Sequence, residues 1–268
     1  MRDVLCTELP FPFSNSNADV YNSISICISH KIADGYSLSK FLNDWAATNR
    51  ELDFEPSTQF DAASFFPPMD DPPVIPDVVR EQCVSRMFNI SSYSLGKLKD
   101  IVSTNSGIQL ALKLLQHLFI NVDSTTTTED EIELAHVVAQ LRKAKQHQRD
   151  KLKDMSPDKI ALHALESINV GVNIILERNY DPYMYSSLCN KGLYKTDFGW
   201  GKPISVTLAR SPMKNNIVFL DDPSGEGINA LITLTEADML IFQSNKELLE
   251  FASPVAYSPE RGPSSNPT

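Results

Sequence analysis

The sequence predicts a layered α/β fold in which strands and helices are mixed without a regular βαβ period. Three observations lead there. Ile24, Ile26 and Ile28 alternate with smaller side chains in Ser23 to Ser29, which puts the isoleucines on one face of a half-buried strand. Leu38, Phe41, Leu42 and Trp45 then recur at helical spacing. Later, strand-like runs at Ile204 to Leu208, Ile217 to Leu220 and Ile228 to Thr233 come together and are followed by two helical runs. Strands that cluster in this way favour a layered sheet over a doubly wound one.

Each element has its own signal. The first strand ends in H-K-I-A-D-G-Y, and Ser37 is a natural N-cap for the helix after it. His30 and Asp34 therefore lie in a strand-to-helix connection, where a rigid scaffold can hold polar side chains in place. Pro67 to Pro76 contains five prolines and reads as an extended surface connection. Met87 to Ile90 reads as a strand and Ser94 to Ser103 as a short helix. Gln109 to Phe119 is predominantly apolar and fits helix or buried strand equally. Thr128 with Glu131 forms a capping box that starts a helix running from about residue 129 to 154. Ser156 and Pro157 start another, through about Ile168. Asp221 to Gly227 is a turn, Thr235 to Gln243 and Lys246 to Ala252 are helices, and the tail from Ser258 is expected to be disordered.

Composition narrows the function. The 268 residues are 42% apolar, enough for a core that needs no disulfide or metal staple. Cys6, Cys27, Cys83 and Cys189 are scattered without C-x-x-C spacing, which points to free thiols in a reducing cytoplasm and to no metal site. No basic region precedes an apolar stretch at the N-terminus and no run of 18 apolar residues occurs, so neither a signal peptide nor a membrane span is expected. The net charge of -10 argues against nucleic acid as a partner. The basic run Arg142 to Lys153 reads as the solvated half of a helix.

Two motifs carry chemistry. His30 and Asp34 form H-x-x-x-D, followed by Gly35. Random placement gives about 0.4 such pairs in a chain of this composition, so spacing alone does not separate a catalytic histidine from one that satisfies a loop carbonyl. In favour of catalysis, a free imidazole titrates near pH 6.5 (roughly) and can take a proton from a hydroxyl or amine at neutral pH. Gly35 removes a side chain where substrate or backbone must approach. The second motif is Asp197-Phe198-Gly199-Trp200-Gly201, followed by Lys202-Pro203. Its glycines let backbone pack closely, its aromatics fill space, and Asp197 wants an arginine or backbone N–H groups as partners. That pattern reads as an architectural bend between strands.

Together, HKIADGYSLSKFLNDWA and DFGWGKP resemble the two signature motifs of the BAHD acyl-CoA-dependent acyltransferases of plants. LTEADMLIFQSNKELLEFASP is similar to the C-terminal helices of that family, and FFPPMDDPP to its vinorine synthase-like branch of alkaloid and alcohol acetyltransferases. The resemblance implies a chloramphenicol acetyltransferase-like fold of two domains with a channel between them. It implies transfer of an acyl group, expected to be acetyl, from acyl-CoA to the hydroxyl or amine of a small specialised metabolite. His30 would be the general base. Asp34, Gly35, Asp197, Phe198, Gly199, Trp200 and Gly201 would support the site structurally. No cofactor is held permanently, and a monomer is expected for the complete family fold.

Against the family pattern the sequence reads as shortened before the H-x-x-x-D strand and again after Gln109. The expected division is 1–108 for the remainder of an N-terminal domain, 109–257 for a C-terminal domain and 258–268 for the tail. The second shortening would remove the arginine that partners the aspartate of D-F-G-W-G. Uncovered apolar surface would then favour association, and a catalytically inactive remnant is the alternative to an active enzyme.

Overall fold

A computed structural model describes residues 4–6, 24–30, 32–56, 82–103, 134–176, 183–208 and 213–255. The expected strand at Ser23 to Ser29 is shorter than its alternation suggested. Strand β2 is Cys27–Ser29, paired antiparallel with β1, Val4–Cys6. Ile26 and Ile28 are half-buried and Ile24 is exposed. Helix α1, Gly35–Asn49, begins ahead of the expected cap: Asp34, not Ser37, is the N-cap, and its carboxylate accepts the Ser37 backbone N–H at 2.7 Å.

The centre of the molecule is a five-stranded sheet. Its strands are β3 (Cys83–Ile90), β4 (Met184–Ser187), β5 (Asn216–Asp221), β6 (Ile228–Thr235) and β7 (Ser253–Pro254), in the spatial order β4-β5-β6-β3-β7. β4 and β5 are parallel and every other pair is antiparallel. β3 is paired along its whole length with β6, from Cys83 opposite Thr235 to Ile90 opposite Ile228. β3 lies ahead of the division expected at residue 108 and β6 after it, so this pairing ties the two parts of the sequence together.

Alternation along the strands divides the core into two layers. Phe88, Ala230, Ile232 and Leu234 face one side, where Met239 and Ala252 complete a cluster with Ile217 and Phe219 at its edge. Helices α5 (Glu236–Ser244) and α6 (Lys246–Phe251) supply that cover. Phe88, only 1% exposed, meets Phe242 edge to face at 5.4 Å. Met87, Val218, Leu220 and Leu231 face the other side, against Leu188, Leu193, Val206 and Leu208. Covered on both faces, β6 is buried at six consecutive positions, Asn229 to Leu234.

That second layer explains a difference from the sequence reading. Ile204 to Leu208 is not a strand. Val206 and Leu208 do point the same way, but they pack on the face of the sheet instead of adding to its edge. The Val206 N–H goes to the Tyr194 hydroxyl at 3.1 Å, and Ile204 is left exposed.

Most of the helical signals place real elements. Ser92–Ser103 forms α2, Leu134–Lys153 forms α3 and Pro157–Leu176 forms α4, the last running eight residues past the expected end. α3 and α4 are tied by His163 Nε2 and Gln148 Oε1 at 3.0 Å. Within the basic run of α3, Lys143, His147, Arg149, Lys151 and Lys153 are exposed, as a solvated face requires. The proline-rich stretch, Gln109 to Phe119, the Thr128–Glu131 capping box and the tail from Ser258 lie outside the described residues. No helix among the described residues is long and apolar enough to cross a membrane.

Candidate active site

His30 occupies the exposed turn directly after β2. The turn is closed by the Ile32 N–H on the Ser29 carbonyl at 2.9 Å, and the chain then enters α1 through Asp34. Asp34 has extended backbone, accepts the Ser37 N–H with its side chain and the Leu38 N–H with its carbonyl. The Asp34 side chain satisfies one otherwise orphaned donor, its carbonyl takes the first intrahelical bond, and its charge suits the positive end of the helix. Asp34 therefore fixes how the turn that carries His30 joins the helix. Gly35, the first helical residue, lies against Leu188 just past β4, and a Cβ there would overlap the Leu188 Cδ2 methyl. The absent side chain lets the helix start approach the end of the sheet.

The second motif is met at the other end of α1. Asp197 Oδ2 pairs with Arg50 Nη1 at 3.2 Å, while Oδ1 accepts the N–H groups of Gly199 and Gly201 at 2.8 and 3.0 Å. Those two N–H groups, with Arg50 and Lys202 behind them, hold the Asp197 carboxyl below the usual carboxylate range. Gly199 and Gly201 have φ of 107° and 106°, a region that a Cβ makes costly, so both positions require glycine. Phe198 meets Trp45 of α1 edge to face at 5.1 Å and stacks with Trp200 at 5.7 Å. Asn49 donates to the Phe198 carbonyl at 2.7 Å, and the Thr196 hydroxyl lies 3.2 Å from Asn43 Oδ1.

The two motifs are thus joined through α1 and do not share a pocket. Asp34 and Arg50 cap opposite ends of the helix, which at 1.5 Å per residue separates them by about 24 Å. Asp197, Phe198, Gly199, Trp200 and Gly201 brace the far end; Asp34 and Gly35 shape the near end, next to His30. The sequence reading missed Arg50, Asn49 and Asn43. Their signal was slight: three polar residues at the end of an amphipathic helix, one of which, Arg50, supplies the cation that Asp197 calls for.

Cys189 is half-buried, and burial pushes its thiol up, outweighing a hydrogen bond with Ser187; it is protonated at neutral pH. Among the described residues no group of three His, Cys, Asp or Glu side chains could hold a metal ion.

Comparison with known proteins gives this arrangement its context. The family described as Transferase family matches residues 22–120 and 117–249. Acylsugar acyltransferase 3 of Solanum lycopersicum is 43% identical over 284 residues, covering 88% of this chain and 65% of the relative. The crystal structure of vinorine synthase superposes with a TM-score of 0.60 at 25% identity, covering 85% of this chain and 62% of that one. F. sporotrichioides TRI101 complexed with coenzyme A and T-2 gives 0.52 at 16% identity, over 86% and 66% of the two chains, which shows the shared fold. The chain spans a little under two thirds of the length of the curated relatives it matches. With the chloramphenicol acetyltransferase-like α/β fold of these neighbours and both motif segments in place, the chain belongs to this transferase family, the BAHD acyltransferases.

Proposed function

We propose that this chain transfers an acyl group from acyl-CoA to a hydroxyl of a plant specialised metabolite, with His30 as general base. The observation that carries the reading is the placement of His30: an exposed imidazole in a short turn fixed by β2 behind it and by the Asp34-capped helix ahead. In this reading the imidazole takes the proton of the acceptor hydroxyl as its oxygen attacks the thioester carbonyl. The tetrahedral intermediate collapses, the C–S bond breaks, and the departing thiolate recovers the proton from the imidazolium. No acyl-enzyme forms.

Family membership supports acyl-CoA as donor, and the coenzyme A bound to TRI101 in its crystal structure agrees with it. For the acceptor, the name of the tomato relative points to a sugar hydroxyl, while vinorine synthase keeps the alkaloid class in play. Acetyl transfer, a cytoplasmic location and a monomer belong to the same proposal. So does the division into an N-terminal part, 1–108, and a C-terminal part, 109–257. Asp34, Gly35 and the Asp197–Gly201 bend act as support for His30.

The test is turnover by the purified chain with acetyl-CoA and a panel of sugar-ester and alkaloid alcohols, read as release of the coenzyme thiol. The expected result is transfer that disappears in His30→Ala. Transfer that persists in the variant, or none across the panel, overturns the reading. A second reading, a non-catalytic binding chain, draws on the row Phe41, Trp45, Phe198 and Trp200, of which Phe41, Trp45 and Trp200 are exposed by 44–56%. It expects folded protein without His30-dependent turnover.

A further inference from the structure

The side of α1 that carries Tyr36, Lys40, Asn43 and Asp44 forms one polar stripe, with Tyr36, Asn43 and Asp44 each three or four residues from Lys40. It faces the turn that follows β4, and the two enclose a cleft of about 320 Å³, near the lower end of the roughly 300–1,000 Å³ usual for small-molecule sites. Lys40 lines it from the helix; Lys191 and Lys195 line it from the turn. Asp44 is the one acidic side chain among the lining residues, so three ammonium groups meet one carboxylate in a protein whose net charge is -10. A solvated lysine face intersperses its charges with acids; here three lysines border one cleft.

The walls are built. Asn190 and Gly192 both have positive φ, 61° and 75°, which turns the chain sharply around Lys191. The Asn190 N–H is held by both oxygens of Asp221 at 3.0 Å, and the Lys195 N–H closes on the Gly192 carbonyl at 2.9 Å. On the helix side, Ser39 is buried and gives its hydroxyl to the Tyr36 carbonyl. Asn43 donates to the Ser39 carbonyl and lies within hydrogen-bonding distance of the Thr196 hydroxyl. The polar groups of the walls are thus satisfied internally. Lys191 and Lys40 both sit over the Tyr36 ring, with their Nζ atoms 4.9 and 6.0 Å from its centroid. Two like charges on one ring repel, and an anion between them relieves the repulsion.

We infer that the cleft between α1 and the Asn190–Lys195 turn binds a phosphoryl-bearing small molecule, its oxygens held by Lys40, Lys191 and Lys195. Ammonium groups bind phosphate as point charges through charge-assisted hydrogen bonds, which suits three flexible lysines on a fixed frame. The inference does not depend on acyl transfer. The phosphate could be carried by coenzyme A or by a separate phosphorylated metabolite, and competition separates the two.

The experiment is calorimetric titration of the full chain at low salt with inorganic pyrophosphate. The comparison is with Lys191→Gln/Lys195→Gln and with Lys246→Gln, a lysine on α6 outside the cleft. The expected result is saturable binding that falls about tenfold or more in the double variant, the effect of losing about one charge-assisted contact, with Lys246→Gln unchanged. Melting curves that match the parent show that the variants fold. Displacement of pyrophosphate by coenzyme A assigns the phosphate to the coenzyme; lysine-dependent binding that coenzyme A does not displace assigns it to a separate metabolite. No pyrophosphate binding, or binding that the double variant leaves intact, overturns the inference.

Discussion

Arg50, the C-cap residue of α1, forms an ion pair with Asp197 at 3.2 Å, linking residues 147 positions apart. Asp197, expected to be short of an arginine partner, is paired with one from the end of the H-x-x-x-D helix. The pair is partly exposed, so its attraction is screened and contributes little alone. Asp197 also binds two backbone N–H groups. Asp197→Ala should therefore lower the melting temperature more than Arg50→Ala, and the double variant should lie close to Asp197→Ala. Equal losses in the two single variants, with the double variant no worse than either, would show that the ion pair, and not the bend, holds the aspartate.

His30→Ala should reduce acyl transfer by about 10²–10⁴-fold, the usual worth of a general base. Because the side chain is exposed, the melting temperature should stay that of the parent. Steady-state rates and a melting curve on the same preparation separate a chemical role from a structural one.

Phe198 is buried between Trp45 and Trp200. Phe198→Ala should cost about 3 kcal/mol, the order found for large-to-small changes in cores. Denaturant unfolding measures it. The change should also expose Trp45, moving its fluorescence to longer wavelength.

The glycines give a paired test. Gly199→Ala and Gly201→Ala place a Cβ at φ near 106°, which should cost roughly 1–3 kcal/mol. Gly96 sits inside α2, where an added Cβ would meet nothing within 4 Å, so Gly96→Ala should stabilise by about 0.5–1 kcal/mol. Opposite signs from one substitution in one protein would be read directly from unfolding midpoints.

Acid should act on the β5–β6 turn. Burial raises the Asp222 carboxyl, but the Ser224 hydroxyl, the Gly227 N–H, the Asn89 amide and the Gly225 N–H together bring it below its ordinary value. A depressed folded value means stability that is present above the unfolded carboxylate range, near pH 4 (roughly), and is lost as pH falls through the folded one. Asp222→Asn should flatten that part of the acid-unfolding curve, as followed by circular dichroism.

What the sequence disclosed and what it withheld divide along physical lines. The turn at His30, the start of α4 at Pro157 and the helix after Thr235 depend on residues next to one another, and local chemistry announces them. Thr235 caps α5 through the Asp238 N–H within one turn. Partners are different. Nothing local pairs Arg50 with Asp197 or sets β3 beside β6, because those contacts are chosen by the whole chain. Val206 and Leu208 show the same limit in reverse: their alternation was real, but a strand also needs a neighbour for its backbone groups, and here the sheet offered its face. Asp34 outranked Ser37 as the cap because Gly35 could enter the helix against Leu188.

Helix α1 is also the shared boundary of both motif segments. Its start is pinned by Gly35 against Leu188 and its last turns by Trp45 against Phe198. A substitution at either end must therefore be accommodated by the same rod of backbone hydrogen bonds.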